Sequence, residues 1–266
     1  MRLFIAGPDC GLEFGWLVAR WIPAVRHKAK EYDKTVIICK PGYQDLYEFA
    51  DEFALYTQKG KCDRWLLDGK ICKPPSNIQE DYPERDKLWY PNEARCMKKQ
   101  VAYYKYGKYD DRLENERGYR LLIHARACKK YGQDKLNWHP SKYRELLEML
   151  EMRPIDVACI GSVEDAHYIP NTIDCRGLPL GMLTCVMANS KCCVGTSSGP
   201  MHLASLCGCP HVVLTGPTKL KILGGKTNRD RYEKLWNPFK TPCTVIDKHG
   251  WHPPVKAVYR AVRKYI

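Results

Sequence analysis

Residues 191–218, KCCVGTSSGPMHLASLCGCPHVVLTGPT, constrain the fold of this chain more than any other stretch. An apolar run at residues 192–194 leads into six small residues, 195–200, and apolar residues then recur at helical spacing until Gly208. A second apolar run follows at residues 212–214. The pattern predicts a strand, a loop, a helix and a second strand, which is the repeating unit of a buried parallel sheet.

The small-residue loop before this helix is a candidate binding site for a diphosphate. A helix N-terminus exposes unpaired backbone N–H groups and the positive end of the helix dipole. The candidate donors are the N–H groups of Ser198, Gly199 and Met201. His202, in the first helical turn, either contacts the diphosphate or only packs and hydrogen-bonds. The alternative for the whole loop is an ordinary connection from strand to helix with serine caps.

The length of 266 residues fits one large or two small domains. No run of about 18 apolar residues occurs, so no transmembrane helix is expected. The first residues are typical of a β-strand rather than a signal peptide. Many of the 14 cysteines lie in apolar runs, where they are small core residues. We therefore expect the protein to be located in the reducing cytoplasm. Cys62, Cys72 and Cys96 match no zinc-binding spacing, and no metal site is predicted.

The formal net charge of +13 indicates an anionic partner, whether nucleic acid, acidic glycan, anionic membrane or phosphorylated ligand. A solvated basic surface is the alternative. One segment interleaves lysines with tyrosines, which suits phosphate neutralisation plus base stacking on nucleic acid. Its candidate acceptor-binding residues are Lys98, Lys99, Tyr103, Tyr104 and Lys105. A solvated helix face with tyrosines packed beneath it explains this segment equally well.

Hydrophobic periodicity divides the chain into two α/β units. The first, residues 1–115, begins with the alternation of strands and helices typical of a doubly wound sheet, and Pro23 predicts a kink or break in its first helix. The second unit, residues 116–252, repeats the alternation. Residues 253–266 have an apolar face and a basic face and predict a closing helix.

Motifs of the second unit resemble glycosyltransferase family 9, the heptosyltransferase-like family. Residues 194–204, VGTSSGPMHLA, together with GCP at 208–210 and LTGPT at 214–218, resemble the signature of that family. Residues 135–140, KLNWHP, precede an amphipathic helix and resemble its K-x-W-P segment. The resemblance covers residues 119–218.

Two departures from the related sequences are visible. Residues 11–16, GLEFGW, resemble a G-E-F-G-W element of related glycosyltransferases, with Leu12 inserted. Ser197 stands where the family carries an acidic residue in its small-residue loop. A contact that needs a carboxylate there is therefore in question, whereas the helix N-terminus is retained.

The resemblance implies an α/β fold with GT-B architecture, in which two Rossmann-like domains enclose a cleft. Residues 1–115 would then bind the acceptor, residues 116–252 would bind a nucleotide-diphosphate sugar, and the helix at 253–266 would cross back to the first domain. The implied reaction is inverting and metal-independent transfer of the sugar to an acceptor hydroxyl, with no cofactor.

This reaction needs a base for the acceptor hydroxyl and electrostatic stabilisation of the leaving diphosphate. Because the family has a catalytic acidic residue in this part of the chain, Glu13 is the expected base and Asp9 the second candidate; Glu13 could instead cap the following helix. Arg126 and Lys135 follow a strand end and are candidate phosphate-binding cations, or else form surface salt bridges. The other predicted donor-binding residues are Gly161, Ser197, Ser198, Gly199, Pro200, Met201 and His202.

The charge, the lysine–tyrosine segment and the expected lack of a membrane anchor favour hydroxymethylated DNA bases as acceptor, each base being flipped out of the duplex. The alternative acceptor is an anionic glycan or a lipid-linked saccharide. Two other functions remain open, namely a nucleotide-sugar epimerase of the same architecture and a catalytically inactive module that binds a nucleotide sugar or nucleic acid.

Overall fold

A computed structural model describes residues 2–7, 13–55, 105–107, 118–128, 134–217, 219–220 and 225–266. The chain divides into two compact units, Met1–Tyr104 and Lys105–Ile266. Several predictions lie outside the described residues: the domain boundary at 115/116 and the residues Asp9, Lys98, Lys99, Tyr103 and Tyr104. Within the described part, no helix has the length and apolar character needed to cross a membrane.

The first unit contains a parallel sheet in the order β1-β2-β3. Its strands are β1 (Leu3–Ala6), β2 (Lys34–Cys39) and β3 (Glu52–Leu55). Helix α1 connects β1 to β2 in three consecutive segments, Phe14–Trp16, Leu17–Trp21 and Ile22–Ala29, and the middle segment is π-helical. The interruption predicted at Pro23 thus takes the form of a widened turn just before the proline, whose ring would crowd a regular α-helix.

The second unit is built on a six-stranded parallel sheet in the order β11-β8-β7-β4-β5-β6. Its strands are β4 (Leu121–His124), β5 (Val157–Gly161), β6 (Ile173–Arg176), β7 (Cys193–Thr196), β8 (His211–Leu214) and β11 (Cys243–Ile246). Two short strands, β9 (Lys219–Leu220) and β10 (Lys226–Thr227), form a separate antiparallel pair. The sheet grows from β4 in both directions, which is the doubly wound Rossmann order.

Among the described residues, five helices and the short 3-10 helix Pro154–Asp156 accompany this sheet. The five helices are α2 (Pro140–Leu150), α3 (Leu180–Asn189), α4 (Gly199–Cys207), α5 (Asn228–Asp230, continued by the π-helical segment Arg231–Leu235) and α6 (Val255–Val262). Helices α2 and α6 pack against each other, and so do α3 and α4. The strand–loop–helix–strand pattern predicted for residues 191–218 is observed as β7, α4 and β8.

The closing helix α6 buries its apolar face in the second unit. Val255, Val258, Ala261 and Val262 belong to the same core as Leu121 of β4 and other strand residues. Burial of this face holds α6 on the sheet of its own unit. Its predicted return to the first domain stays a prediction.

Candidate functional site

The carboxyl ends of β4 and β7 form the point at which the sheet of the second unit changes its direction of growth. Strand β4 ends at His124, and the neighbouring strand β7 ends at Thr196. Ligands of open α/β sheets bind at such a switch point because the loops leaving the two strands diverge there. The structure thus brings the segment containing Arg126 and the loop containing Ser197 and Ser198 to one edge of the sheet.

Two glycines make room for His124 at this edge. A Cβ atom on Gly195 would lie 2.7 Å from the carbonyl oxygen of His124. A Cβ atom on Gly161 would lie 2.8 Å from Nδ1 of His124, and Gly161 also has a φ of +121°, which an L side chain rarely adopts. Gly161, predicted to bind the donor, therefore has a packing role against His124.

His124 is a buried residue that the sequence analysis did not select. Its Nδ1 lies 3.2 Å from the carbonyl oxygen of Ile160, and since a carbonyl can only accept, Nδ1 carries the ring proton. Burial lowers the pKa of His124 to about 4, so the ring is neutral at pH 7. The Tyr143 hydroxyl donates to the His124 carbonyl oxygen at 3.3 Å. The residues that precede His124 in β4 are apolar, as in any buried strand, so the sequence gives no signal for a special role of this histidine.

We expect the free energy of unfolding to fall as the pH drops from about 6.5 to about 4. Burial lowers the pKa of both His124 and His211 from 6.5 to about 4. Between these values the unfolded chain binds protons that the folded chain rejects, so stability is lost on acidification and these histidines cause no change above the window. Urea denaturation at a series of pH values measures how the free energy of unfolding changes with pH. A free energy of unfolding that stays flat from pH 7 to pH 4.5 would contradict it.

The loop between β7 and α4 holds Ser198 at the N-cap position of the helix. Its backbone is extended, and its side chain makes no capping hydrogen bond. The Ser198 Oγ atom is buried, and none of the described residues hydrogen-bonds to it. The Ser197 N–H donates to the Leu214 carbonyl oxygen at 2.9 Å, which ties the loop to β8. The alternative for this loop was capping of the helix by a serine side chain, and Ser198 does not cap α4 in this way.

His202 is packed between aromatic rings. It stacks on Tyr232 with ring centroids 4.2 Å apart and an interplanar angle of 8°, and its ring lies 4.5 Å from that of Trp236 at 66°. Only 2% of His202 is exposed. The structure thus shows His202 packed, and its contact with the diphosphate stays a prediction. Tyr232 was not found from the sequence because it lies 34 residues beyond Ser198 in a segment without a motif.

The other predicted residues of α4 are buried or half-buried in its first turn. The Met201 side chain is fully buried, with its Sδ atom 3.7 Å from Cys193 Sγ, so only its backbone N–H is a candidate donor to a ligand. Gly199 is buried in the first turn, and Pro200 is half-buried.

The two predicted cations both follow β4 in sequence. Arg126 is half-buried and forms an isolated antiparallel bridge with Ala166, close to the end of the strand. Lys135 is exposed, and its carbonyl oxygen accepts a hydrogen bond from His252 Nε2 at 2.9 Å. The structure therefore brings Arg126 to the switch point, whereas no hydrogen bond or ion pair among the described residues joins Lys135 to the loop before α4.

Trp138 of the K-x-W-P segment is a core residue. It is fully buried, and its Nε1 donates to the Pro253 carbonyl oxygen at 2.9 Å. The segment is thus held in place by the residues that precede α6.

Lys105 lies at the other end of α4 from the loop. A Cβ atom on Gly208, the C-cap residue, would be 3.2 Å from Lys105 Nζ, and the Tyr106 N–H donates to the Leu206 carbonyl oxygen. A cation at this end complements the helix dipole. Helix α4 has nine residues and is about 13 Å long, so Lys105 is remote from Ser198. Its predicted acceptor contact stays a prediction.

Glu13 is the one candidate base among the described residues. It is exposed and precedes α1, and its carbonyl oxygen accepts from the Leu17 N–H at 2.9 Å. Its carboxylate makes no capping hydrogen bond with the helix. The capping alternative is therefore not observed, and no hydrogen bond or ion pair of the described residues occupies this carboxylate.

A groove of about 360 Å³ beside the edge strand β11 is strongly basic. Arg229 on its wall pairs with Asp247 and Glu233, each at 2.7 Å. Four further basic residues line the groove without an ion-pair partner among the described residues, namely Lys248, His249, Arg260 and Lys264. Within the described part of the chain, no three His, Cys, Asp or Glu side chains form a group that could hold a metal ion.

Comparisons with known proteins agree with this architecture. The solved structures similar to the chain include a glycosyl transferase family 9 protein from Veillonella parvula DSM 2008 (TM-score 0.60, 11% identity, covering 99% of this chain and 96% of that one). E. coli heptosyltransferase WaaC with ADP has a TM-score of 0.59 and 13% identity, covering 100% of both chains. E. coli ADP-heptose lps heptosyltransferase II has a TM-score of 0.60 and 14% identity, covering 100% of this chain and 98% of that one.

These identities show the fold alone, and the family is shown by the sequence. A search of curated protein sequences gave no match. Residues 85–249, more than half of the chain, match the sequence model of glycosyltransferase family 9 (heptosyltransferase). Both the predicted fold and the predicted class of enzyme are thereby confirmed. The chain belongs to glycosyltransferase family 9 and is a glycosyltransferase with the GT-B fold of two Rossmann-like domains.

Proposed function

We propose that this enzyme transfers a sugar from a nucleotide-diphosphate sugar to a hydroxyl group of an anionic acceptor. The observation that carries the proposal is the N-terminus of α4 at the switch point between β4 and β7, in a chain of family 9. The N–H groups of Gly199 and Met201 lie in the first turn of α4, where an intrahelical acceptor is lacking. A diphosphate bound there would receive these hydrogen bonds and the favourable helix dipole.

ADP-heptose is the first donor to test. Two of the similar structures are E. coli heptosyltransferases, one with ADP and one named ADP-heptose lps heptosyltransferase II. Sequence identities of 13% and 14% leave the sugar and the base open, so other nucleotide sugars belong in the same experiment.

The chemistry is an inverting displacement at the anomeric carbon. Glu13 takes the proton of the acceptor hydroxyl as its oxygen forms the new bond, and the bond to the diphosphate breaks. The negative charge that grows on the diphosphate is stabilised by the N-terminus of α4 and by Arg126. Because these groups supply positive charge, the reaction is proposed to need no metal ion and no cofactor.

The acceptor is proposed to be anionic because the chain carries a net charge of +13. A phosphorylated saccharide, as in lipopolysaccharide, is favoured by the name of the similar E. coli enzyme. Hydroxymethylated DNA remains the other candidate partner. Of the lysines and tyrosines that suggested it, Lys98, Lys99, Tyr103 and Tyr104 lie outside the described residues, and Lys105 lies at the far end of α4 from Ser198. The free cysteines of the described part support a reducing, cytoplasmic location.

Mass spectrometry of acceptors after incubation with a panel of nucleotide sugars tests the proposal. One acceptor is a phosphorylated lipopolysaccharide core saccharide, and the other is an oligonucleotide containing hydroxymethylated bases. We expect a mass increase of one sugar on the saccharide, with the same yield in EDTA. Transfer to the oligonucleotide alone would overturn the saccharide proposal. Donor conversion without an acceptor would indicate an epimerase, and donor binding without turnover would indicate an inactive binding module.

A further inference from the structure

The hydroxyl group of Tyr232 lies directly against the loop that precedes α4. It is 3.2 Å from Ser197 Oγ, 3.2 Å from the Ser198 nitrogen and 3.4 Å from the Ser198 carbonyl oxygen. The Tyr232 side chain is fully buried, and the stack on His202 at 4.2 Å holds its ring. A fully buried phenol with three polar neighbours on two consecutive residues determines how this loop is arranged.

The backbone groups fix the direction of two of these hydrogen bonds, and the bond between the two hydroxyls can run either way. The Ser198 N–H can only donate, so the phenol oxygen accepts from it. The phenol hydrogen has two acceptors within reach. The Ser198 carbonyl oxygen at 3.4 Å already accepts from the His202 N–H at 3.3 Å, whereas Ser197 Oγ lies at 3.2 Å and can either accept from the phenol or donate to it. Burial raises the pKa of Tyr232 above its usual value, so the phenol keeps this hydrogen at neutral pH.

Where the phenol donates to Ser197 Oγ, the hydrogen of the Ser197 hydroxyl can point toward a ligand. The backbone N–H of Ser197 is already used by the Leu214 carbonyl oxygen, so the hydroxyl is the donor that this residue can offer to a ligand. Ser197 is half-buried and immediately precedes the N-cap of α4, where the diphosphate is expected. Hydrogen bonds arranged in such a chain polarise one another, which strengthens the last donor.

We propose that the Tyr232 phenol donates to Ser197 Oγ and is thereby a positioning residue that directs the Ser197 hydroxyl toward the diphosphate of the donor. The inference rests on the proposed function, because it needs a diphosphate at the N-terminus of α4. Tyr232 contacts no substrate in this arrangement and acts through Ser197.

Calorimetric titration with ADP, UDP and GDP as probes tests this role through a double-mutant cycle. We expect the nucleotide that wild-type enzyme binds best to bind roughly tenfold more weakly to Tyr232→Phe and to Ser197→Ala. Ser197→Ala loses the hydrogen bond to the charged ligand, and Tyr232→Phe loses the group that directs that hydrogen bond. The double variant should bind within about threefold of the weaker single variant, because both substitutions remove the same donor. Additive losses of about 100-fold, or wild-type affinity of Tyr232→Phe, would overturn the inference.

Tyr265→Phe is the matched control. It removes another phenol of the second unit, whose oxygen lies 2.8 Å from Thr244 Oγ1 beside β11, and we expect unchanged nucleotide affinity. Should Tyr232→Phe fail to fold, Ser197→Thr retains a hydroxyl and should bind better than Ser197→Ala; equal affinities would overturn the inference. If the wild-type enzyme binds none of the three nucleotides, the proposed donor site itself is wrong. If it binds one and the variants bind it equally well, only the role of Tyr232 is wrong.

Discussion

Glu13→Gln is expected to lower kcat for sugar transfer by about 10²–10⁴-fold and to leave donor affinity unchanged. The amide is nearly isosteric with the carboxylate but cannot accept the proton of the acceptor hydroxyl. The substitution removes no hydrogen bond or ion pair among the described residues, because the exposed carboxylate does not cap α1. The melting temperature should therefore also be unchanged, which separates a catalytic role from a structural one.

Single-turnover transfer assays, together with nucleotide titration, measure the two quantities separately. Glu31→Gln is the matched control, since Glu31 is another exposed glutamate of the first unit, and its ion pair with Lys28 is on the surface. An exposed pair contributes little to stability, and the control should retain full activity. If Glu13→Gln keeps more than about a tenth of the wild-type kcat, Glu13 is not the general base.

Gly195→Ala is expected to lower the free energy of unfolding by about 3 kcal/mol and to weaken nucleotide binding at least about tenfold. The added Cβ would lie 2.7 Å from the His124 carbonyl oxygen and 3.0 Å from both His124 Cβ and Met201 Sδ. Met201 can change rotamer, but a strand carbonyl cannot move without moving β4. The loops that leave β4 and β7 would then separate, and these loops carry the proposed donor contacts.

Thermal denaturation and nucleotide titration of the purified variant check both effects. Gly225→Ala is the control, because a Cβ atom there meets nothing within 4 Å and the cost is limited to its left-handed backbone at a φ of +83°. A Gly195→Ala protein with wild-type melting temperature and nucleotide affinity would show that β4 and β7 tolerate a wider spacing at this point.

Local pattern was sufficient to predict the elements around the proposed donor site. The apolar run, the small-residue loop and the helical spacing of residues 192–207 correspond to β7 and α4, and Gly208 ends the helix with a φ of +77°. Backbone conformation at these positions depends mainly on neighbours in sequence, which is why the pattern is informative. Together with the family resemblance, it led to the correct fold and class of enzyme.

Tertiary contacts account for what the sequence analysis missed. Tyr232 reaches Ser198 across 34 residues, and His124 is enclosed by glycines of two other strands, so neither role leaves a periodic signal. Met201 was predicted as a donor through its backbone N–H, and the burial of its side chain is compatible with that role.

The π-helical segment Arg231–Leu235 has a consequence for comparing this enzyme with its relatives. A π-helical turn holds one residue more than an α-helical turn, and removal of that residue would rotate the flanking side chains by about 100°. A homologue with a regular α-helix here would be one residue shorter. An alignment without a gap would then match Tyr232 to a residue of the homologue that faces another direction. The equivalent of Tyr232 should therefore be identified by superposing the loop at Ser197 and Ser198. A single-codon deletion in the π-helical segment would be enough to replace Tyr232 with another side chain facing this loop.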